Sequence, residues 1–231
     1  MINTKKIICS ICFAFSLSLN SYAAMEDTDL NMPSSNQDWQ LVKEDKRHNI
    51  RTYYKREDQK NYRSFKAEVI YDHDFEVVTC HQLDANNFSR WFMNTSESRL
   101  LKRISEREFY MYLRFKAPLA VPDRDVVLHV VVDNKKEKNP EAFISYNAVP
   151  DYIPLVPRVV RIPVWDVVTT IKQLDQHTTQ EVTMGYAESG DNKIPAWLIN
   201  FFQRQMPYAN SLGRVRDIKR YQTEKMTCSL N

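Results

Sequence analysis

Few residues of this 231-residue chain stand at spacings that chemistry requires. Arg124-Asp125 opens a strongly alternating apolar run, and Arg161 lies within a stretch punctuated by Pro150, Pro154, Pro157 and Pro163. A guanidinium and a carboxylate there could catalyse or grip a polar head group. At the start of a strand the same pair more economically anchors the chain through an ion pair and hydrogen bonds, so we read Arg124 and Asp125 as structural. Arg161, beside the proline-rich loop, is a candidate head-group contact. His48, His73, His81, His129 and His177 form no pair at metal-ligand spacing backed by an acid or cysteine, so neither a metal nor a cofactor is expected. Glu106 and Glu108 share one strand face and read as a solvated edge. No serine sits in a Gly-x-Ser-x-Gly elbow, and neither Cys80 nor Cys228 carries a local nucleophile signature. No catalytic residue is assigned and no enzymatic activity is expected.

The elements that must position these residues begin after residue 23. Lys5 and Lys6 precede an uncharged apolar run from Ile7 to Leu19, and Ser21-Tyr22-Ala23 offers small residues at the two positions a signal peptidase reads. The run is short of the roughly 20 apolar residues that span a bilayer. We expect residues 1–23 to be a signal peptide cut after Ala23, and the protein to be periplasmic or secreted. Residues 24–37 read as a flexible lead-in, 38–221 as one domain and 222–231 as a tail. Losing Lys5 and Lys6 takes the formal net charge from +3 to about +1, which gives no electrostatic case for nucleic acid. Three glycines in the whole chain are too few for phosphate loops. An oxidising compartment permits a Cys80–Cys228 bridge.

Periodicity supplies the rest. Segments around Leu41–Val42 and Ile50–Tyr54, broken at His48-Asn49, suggest a hairpin, and Tyr62 to Tyr71 continues it with Phe65, Ala67 and Val69 on one face. Asp74 can cap a helix holding Val77, Val78, His81 and Leu83, and a second helical piece lies around Asn87 to Met93. Phe109, Met111, Leu113 and Phe115 alternate with Tyr110, Tyr112, Arg114 and Lys116, and Val126, Leu128, Val130 and Val132 alternate with Val127, His129 and Val131. Ala142 to Ala148 is another strand, and Trp165 to Leu174 with Thr178 to Ala187 a last hairpin. Pro195 sits well as the first residue of a long helix from Ala196 to about Lys219, interrupted by Pro207. Strands, helix, many antiparallel strands and a long apolar helix make an α+β layout, with a sheet that the helix covers.

Three segments stand out in order: Val121-Pro122-Asp123-Arg124-Asp125-Val126-Val127, Val160-Arg161-Ile162, and Ser189 to Asn200 with its acidic, Gly-containing turn, Ile194-Pro195, Trp197 and Asn200. Together they resemble the START family of lipid-transfer domains, as a stand-alone exported bacterial-type member. The usual glycine before Ile-Pro is here Asn192 or Lys193. The resemblance covers roughly Trp39 to Ile218. It implies a helix-grip fold of the START/Bet v 1-like kind: a curved antiparallel sheet wrapped around the C-terminal helix with an internal apolar cavity. On that basis Phe109, Met111, Leu113, Val130, Trp165, Met184, Tyr186, Leu198, Phe202 and Met206, with Arg161, are the expected ligand-binding residues. Some sterol-binding relatives carry a buried acid and a buried arginine where this chain has Met111 and Val130, so the cavity is expected to lack an internal ion pair. The Pro150–Pro163 loop and the start of the last helix are the expected gate.

These readings together predict a monomer that carries one lipid or other hydrophobic ligand, unchanged, and touches membranes transiently. Two alternatives stay open: an enzyme like the cyclases and hydroxylase components that share the general fold, and an envelope interaction protein with a vestigial cavity.

Overall fold

The computed structural model describes residues 38–56, 60, 62–117, 121–135, 140–190 and 196–221, with only the backbone at 135, 196–198 and 200–202. The expected leader, lead-in and tail, and Cys228 with them, lie outside the described residues. Cys80 is fully buried and disulfide-bonded.

Among the described residues, ten strands and three helices follow one another in chain order. β1 (Gln40–Asp45), β2 (Ile50–Lys55) and β3 (Ser64–Tyr71) precede α1 (Phe75–Leu83) and α2 (Phe88–Trp91). β4 (Thr95–Ser105), β5 (Glu108–Phe115), β6 (Asp123–Lys135), β7 (Glu141–Ala148), β8 (Val159–Arg161), β9 (Trp165–Gln173) and β10 (Thr179–Ala187) follow, and α3 (Ala196–Tyr221) ends the fold. The strands form a curved, unclosed sheet in the order β1-β2-β3-β10-β9-β7-β6-β5-β4, antiparallel throughout that path. β8 adds to β6 in parallel, matching Asp125 with Arg161. The fold is the helix grip that the sequence resemblance implies.

Alternation explains which face is which. On β5, Phe109, Met111, Leu113 and Phe115 are buried, and on β6 Val126, Leu128, Val130 and Val132 join them, all within one apolar cluster. Their alternates face the other side of the sheet, where Tyr112 and Val127 are also buried and His129 stacks on Tyr110 (4.7 Å) and meets Glu108 Oε1 at 2.8 Å. Bulges in β1 and β4 interrupt the ladders at both open edges, which blunts them against pairing with other chains. Asp74 stands at the N-cap of α1 in extended conformation but makes no cap hydrogen bond; its Oδ1 pairs with His177 Nδ1 at 2.7 Å instead. α3 lies close against α2. A Cβ on Gly213 would stand 2.3 Å from the Trp91 carbonyl oxygen, so only glycine admits this approach.

Candidate functional site

A cavity of about 270 Å³ lies inside the grip, near the lower end of the size range of ligand sites. Its walls come from the inward parity of six strands: Phe65 and Ala67 on β3, Leu113 and Phe115 on β5, Leu128 on β6, Tyr146 on β7, Trp165 and Val167 on β9, and Thr183 and Ala187 on β10. α3 supplies one stripe, Ile199, Gln203, Met206, Pro207, Asn210, Ser211 and Arg214, at the spacing that keeps residues on one helix face. Fifteen residues separate its ends, about 22 Å of helix. Phe88, Trp91 and Phe92 roof the space; Phe92 lies 5.8 Å from Phe115 and 6.2 Å from Trp165, whose rings stack at 6.0 Å and 4°. Tyr62, Arg63, Lys116, Ala117, Val121 and Ser189 add loop residues to the lining.

One part of this apolar wall is charged. Arg214 of α3 and Glu181 of β10, both buried and both lining the cavity, form an ion pair. Arg214 Nη2 also donates to the Val78 carbonyl at 2.6 Å, and its Nε to His81 Nδ1 at 3.2 Å. His81 Nε2 donates to Asp217 at 3.1 Å, and Asp217 also receives Arg90 at 3.2 Å. Because Arg214 donates to Nδ1, the imidazole must be neutral; a proton there would set donor against donor. Burial first, then the charges of Arg214, Arg90 and His73, hold His81 down to about 2. Burial also pulls Arg214 below its ordinary value, and pushes the Tyr146 phenol up.

The sign of the resulting pH effect follows. Below the usual imidazole range the unfolded chain takes up a proton at His81 that the native protein refuses, so stability falls as pH drops. The expected slope is about 1.4 kcal/mol per pH unit from roughly pH 6 downward. Urea unfolding from pH 7 to 5 should show that loss, and a His81→Gln variant should show a shallower one. Equal slopes in the two proteins would contradict the neutral buried imidazole.

The candidate residues read from sequence fall into four groups. Leu113, Trp165 and Met206 line the cavity. Phe109, Met111 and Val130 have the inward parity but are sealed in the core at 0–1 % exposure, outside the lining. Met184 and Tyr186 have the opposite parity. Met184 is 40 % exposed, and the Tyr186 ring lies under Lys60 with its hydroxyl on Glu188 Oε1 at 2.8 Å. The inner face of β10 is instead Glu181, Thr183 and Ala187, so its apolar residues point to the wrong side of the sheet. The side chains of Leu198 and Phe202 lie outside the described residues.

Arg161 is a structural residue. Its Nε and Nη2 reach Asp125 Oδ1 and Oδ2 at 2.8 and 3.1 Å, and the same guanidinium donates to the carbonyls of Pro150, Ile153 and Pro154. The anchoring pair is therefore Asp125–Arg161 rather than Arg124–Asp125, since neighbours on a strand face opposite ways. Arg124 faces the cavity and donates from Nη1 to the Pro122 carbonyl. With its loop tied back in this way, the Pro150–Pro163 segment contributes only Ile162 to the lining; residues 191–195, at the start of the last helix and the other half of the expected gate, lie outside the described residues. The expectation of a cavity without an internal ion pair is likewise overturned by Glu181 and Arg214. Sequence reasoning missed this pair, together with Gln82 and Tyr146 beside it. The available signal was Glu181 at the inward parity of β10 and Arg214 on the α3 stripe with Met206.

No family model and no curated protein matches the chain. Among solved structures, the STAR-related lipid transfer protein of Xanthomonas axonopodis (fragment 25–204) is 28 % identical, over 78 % of this chain and 98 % of that one, with a TM-score of 0.69. Human STARD10 is 15 % identical over 80 % of this chain and 74 % of its own, with a TM-score of 0.66. Human StAR-related lipid transfer protein 5 is 14 % identical over 80 % of this chain and 88 % of its own, at 0.65.

Proposed function

We propose that this chain, which is a START domain, binds and carries a single lipid or other slender hydrophobic molecule in its internal cavity without converting it. The observation that carries the reading is the apolar cavity itself, enclosed between the curved sheet and α3 and lined mainly by side chains such as Leu113, Phe115, Trp165 and Met206. Removal of apolar surface from water supplies the affinity, at about 25 cal/mol per Å². Non-enzymatic carriage is favoured by the state of the buried acid: Glu181 is held in an ion pair with Arg214 rather than left to exchange protons with a ligand. The 28 % identity to the STAR-related lipid transfer protein of Xanthomonas axonopodis supports the same reading.

In this proposal the protein works as a monomer in the periplasm or outside the cell, binds no nucleic acid, and meets membranes only while loading and unloading. The leader-like residues 1–23 support export.

Filling the cavity tests the proposal. Ala67 sits on the inner face of β3 and lines the space, so Ala67→Phe places a ring where the ligand would lie. We expect at least roughly tenfold weaker binding of a fluorescent long-chain lipid, equivalent to about 1.4 kcal/mol, with cooperative unfolding retained. Unchanged binding would contradict carriage in this cavity.

A further inference from the structure

Resting on that reading, we infer that the cavity contains a subsite for a hydrogen-bond donor, and that the ligand is an uncharged apolar molecule ending in a hydroxyl or N–H group. Gln82 of α1 is buried at 6 % exposure and lines the cavity. Its Nε2 donates to the Tyr146 hydroxyl at 2.9 Å, and that hydroxyl spends its single proton on the backbone carbonyl of Gln82 at 3.3 Å. This pairing fixes the amide orientation. It leaves Gln82 Oε1 buried without a hydrogen-bond partner, a cost of about 1–3 kcal/mol if nothing fills it. Tyr146 lines the cavity with it, as do Glu181 and Arg214.

The neighbouring charges decide the sign of the ligand's end. Each nitrogen of the Arg214 guanidinium is already engaged by the protein: Nη1 by the charge of the Glu181 carboxylate, Nη2 by a hydrogen bond to the Val78 carbonyl and Nε by one to His81. A carboxylate or phosphate entering here would gain no fresh cation, and would face the Glu181 carboxylate and the bare Gln82 oxygen. A neutral donor meets an acceptor instead. The α3 stripe that leads to Arg214, about 22 Å long, accommodates the apolar body.

Three ligands of one chain length separate the possibilities: dodecanol, dodecyl methyl ether and dodecanoate, titrated calorimetrically into the purified protein at pH 7. The ether keeps an oxygen but has no proton to give, and dodecanoate adds a negative charge. We expect dodecanol to bind roughly tenfold more tightly than either, the factor that one hydrogen bond of about 1.4 kcal/mol supplies. In Gln82→Met the ratio of alcohol to ether affinity should fall towards one. An ether that binds the native protein as tightly as the alcohol overturns the inference, as does dodecanoate binding best or a ratio that survives in Gln82→Met. The first comparison decides the matter even if the variant fails to fold. A protein that binds none of the three overturns the carriage reading, and this inference falls with it.

Discussion

Replacing Glu181 with leucine should lower the free energy of unfolding by about 3–5 kcal/mol, because it strands the Arg214 guanidinium in the core. That is a large part of the roughly 5–15 kcal/mol that holds a typical domain together. The pair spans the cavity wall, joining β10 to α3, so its loss also loosens the grip of the sheet on the helix. The double variant Glu181→Leu with Arg214→Met removes both charges and should recover much of the loss. Recovery is incomplete because the Val78 carbonyl and His81 Nδ1 then lose their donor. Urea unfolding of both singles and the double gives the coupling directly. A Glu181→Leu cost below about 1 kcal/mol, the range of exposed pairs, would show that the two charges are not paired in a dry site.

A comparable loss is expected at a second buried pair, Asp125–Arg161, for a different reason. Asp125→Ala leaves the Arg161 guanidinium, itself 6 % exposed, with only loop carbonyls as partners. The expected cost is about 3–5 kcal/mol. Its structural consequence is local: Arg161 ties β8 to β6 and holds the carbonyls of Pro150, Ile153 and Pro154. Limited proteolysis should therefore cut the 150–158 segment faster in Asp125→Ala, at matched temperature. Arg161→Lys should behave similarly, since a single ammonium cannot make the two-pronged contact with Asp125. Proteolysis at the native rate in both variants would contradict the anchoring role.

Strand parity was legible in the sequence wherever one face was apolar and the other was not. β5 alternates in this way and its inner residues are those periodicity selects; β6 carries Val127 and Val131 on its outer face as well, and its inner face follows from its register with β5. What parity does not encode is depth. Leu113 meets the cavity while Met111, two residues away on the same face, is sealed in the core, because that depends on where the helices rest against the sheet. β10 misled for a physical reason: its inner face carries the polar Glu181 and Thr183, and its outer face Val182, Met184 and Tyr186, so hydrophobicity pointed outward. β4 went unread. As an edge strand it is largely solvent-facing and bulged in three places, which erases the period of two. The partnership of Asp125 with Arg161 depends on a three-residue parallel strand inside a proline-rich loop, which no local pattern announces. The long reach of α3 was legible from Pro195 and the apolar stripe. Its most informative residue, Arg214, was not, since a charged residue on an apolar helix face discloses its partner only when the sheet opposite is in place.

The most direct test of a carrier is to look for its cargo. The purified protein, incubated with a total lipid extract and re-isolated, should give a native mass spectrum with one adduct of defined mass per chain, and solvent extraction should release that lipid chemically unaltered. A spectrum showing only the bare chain after such loading, or an adduct recovered as a converted product, would contradict the account.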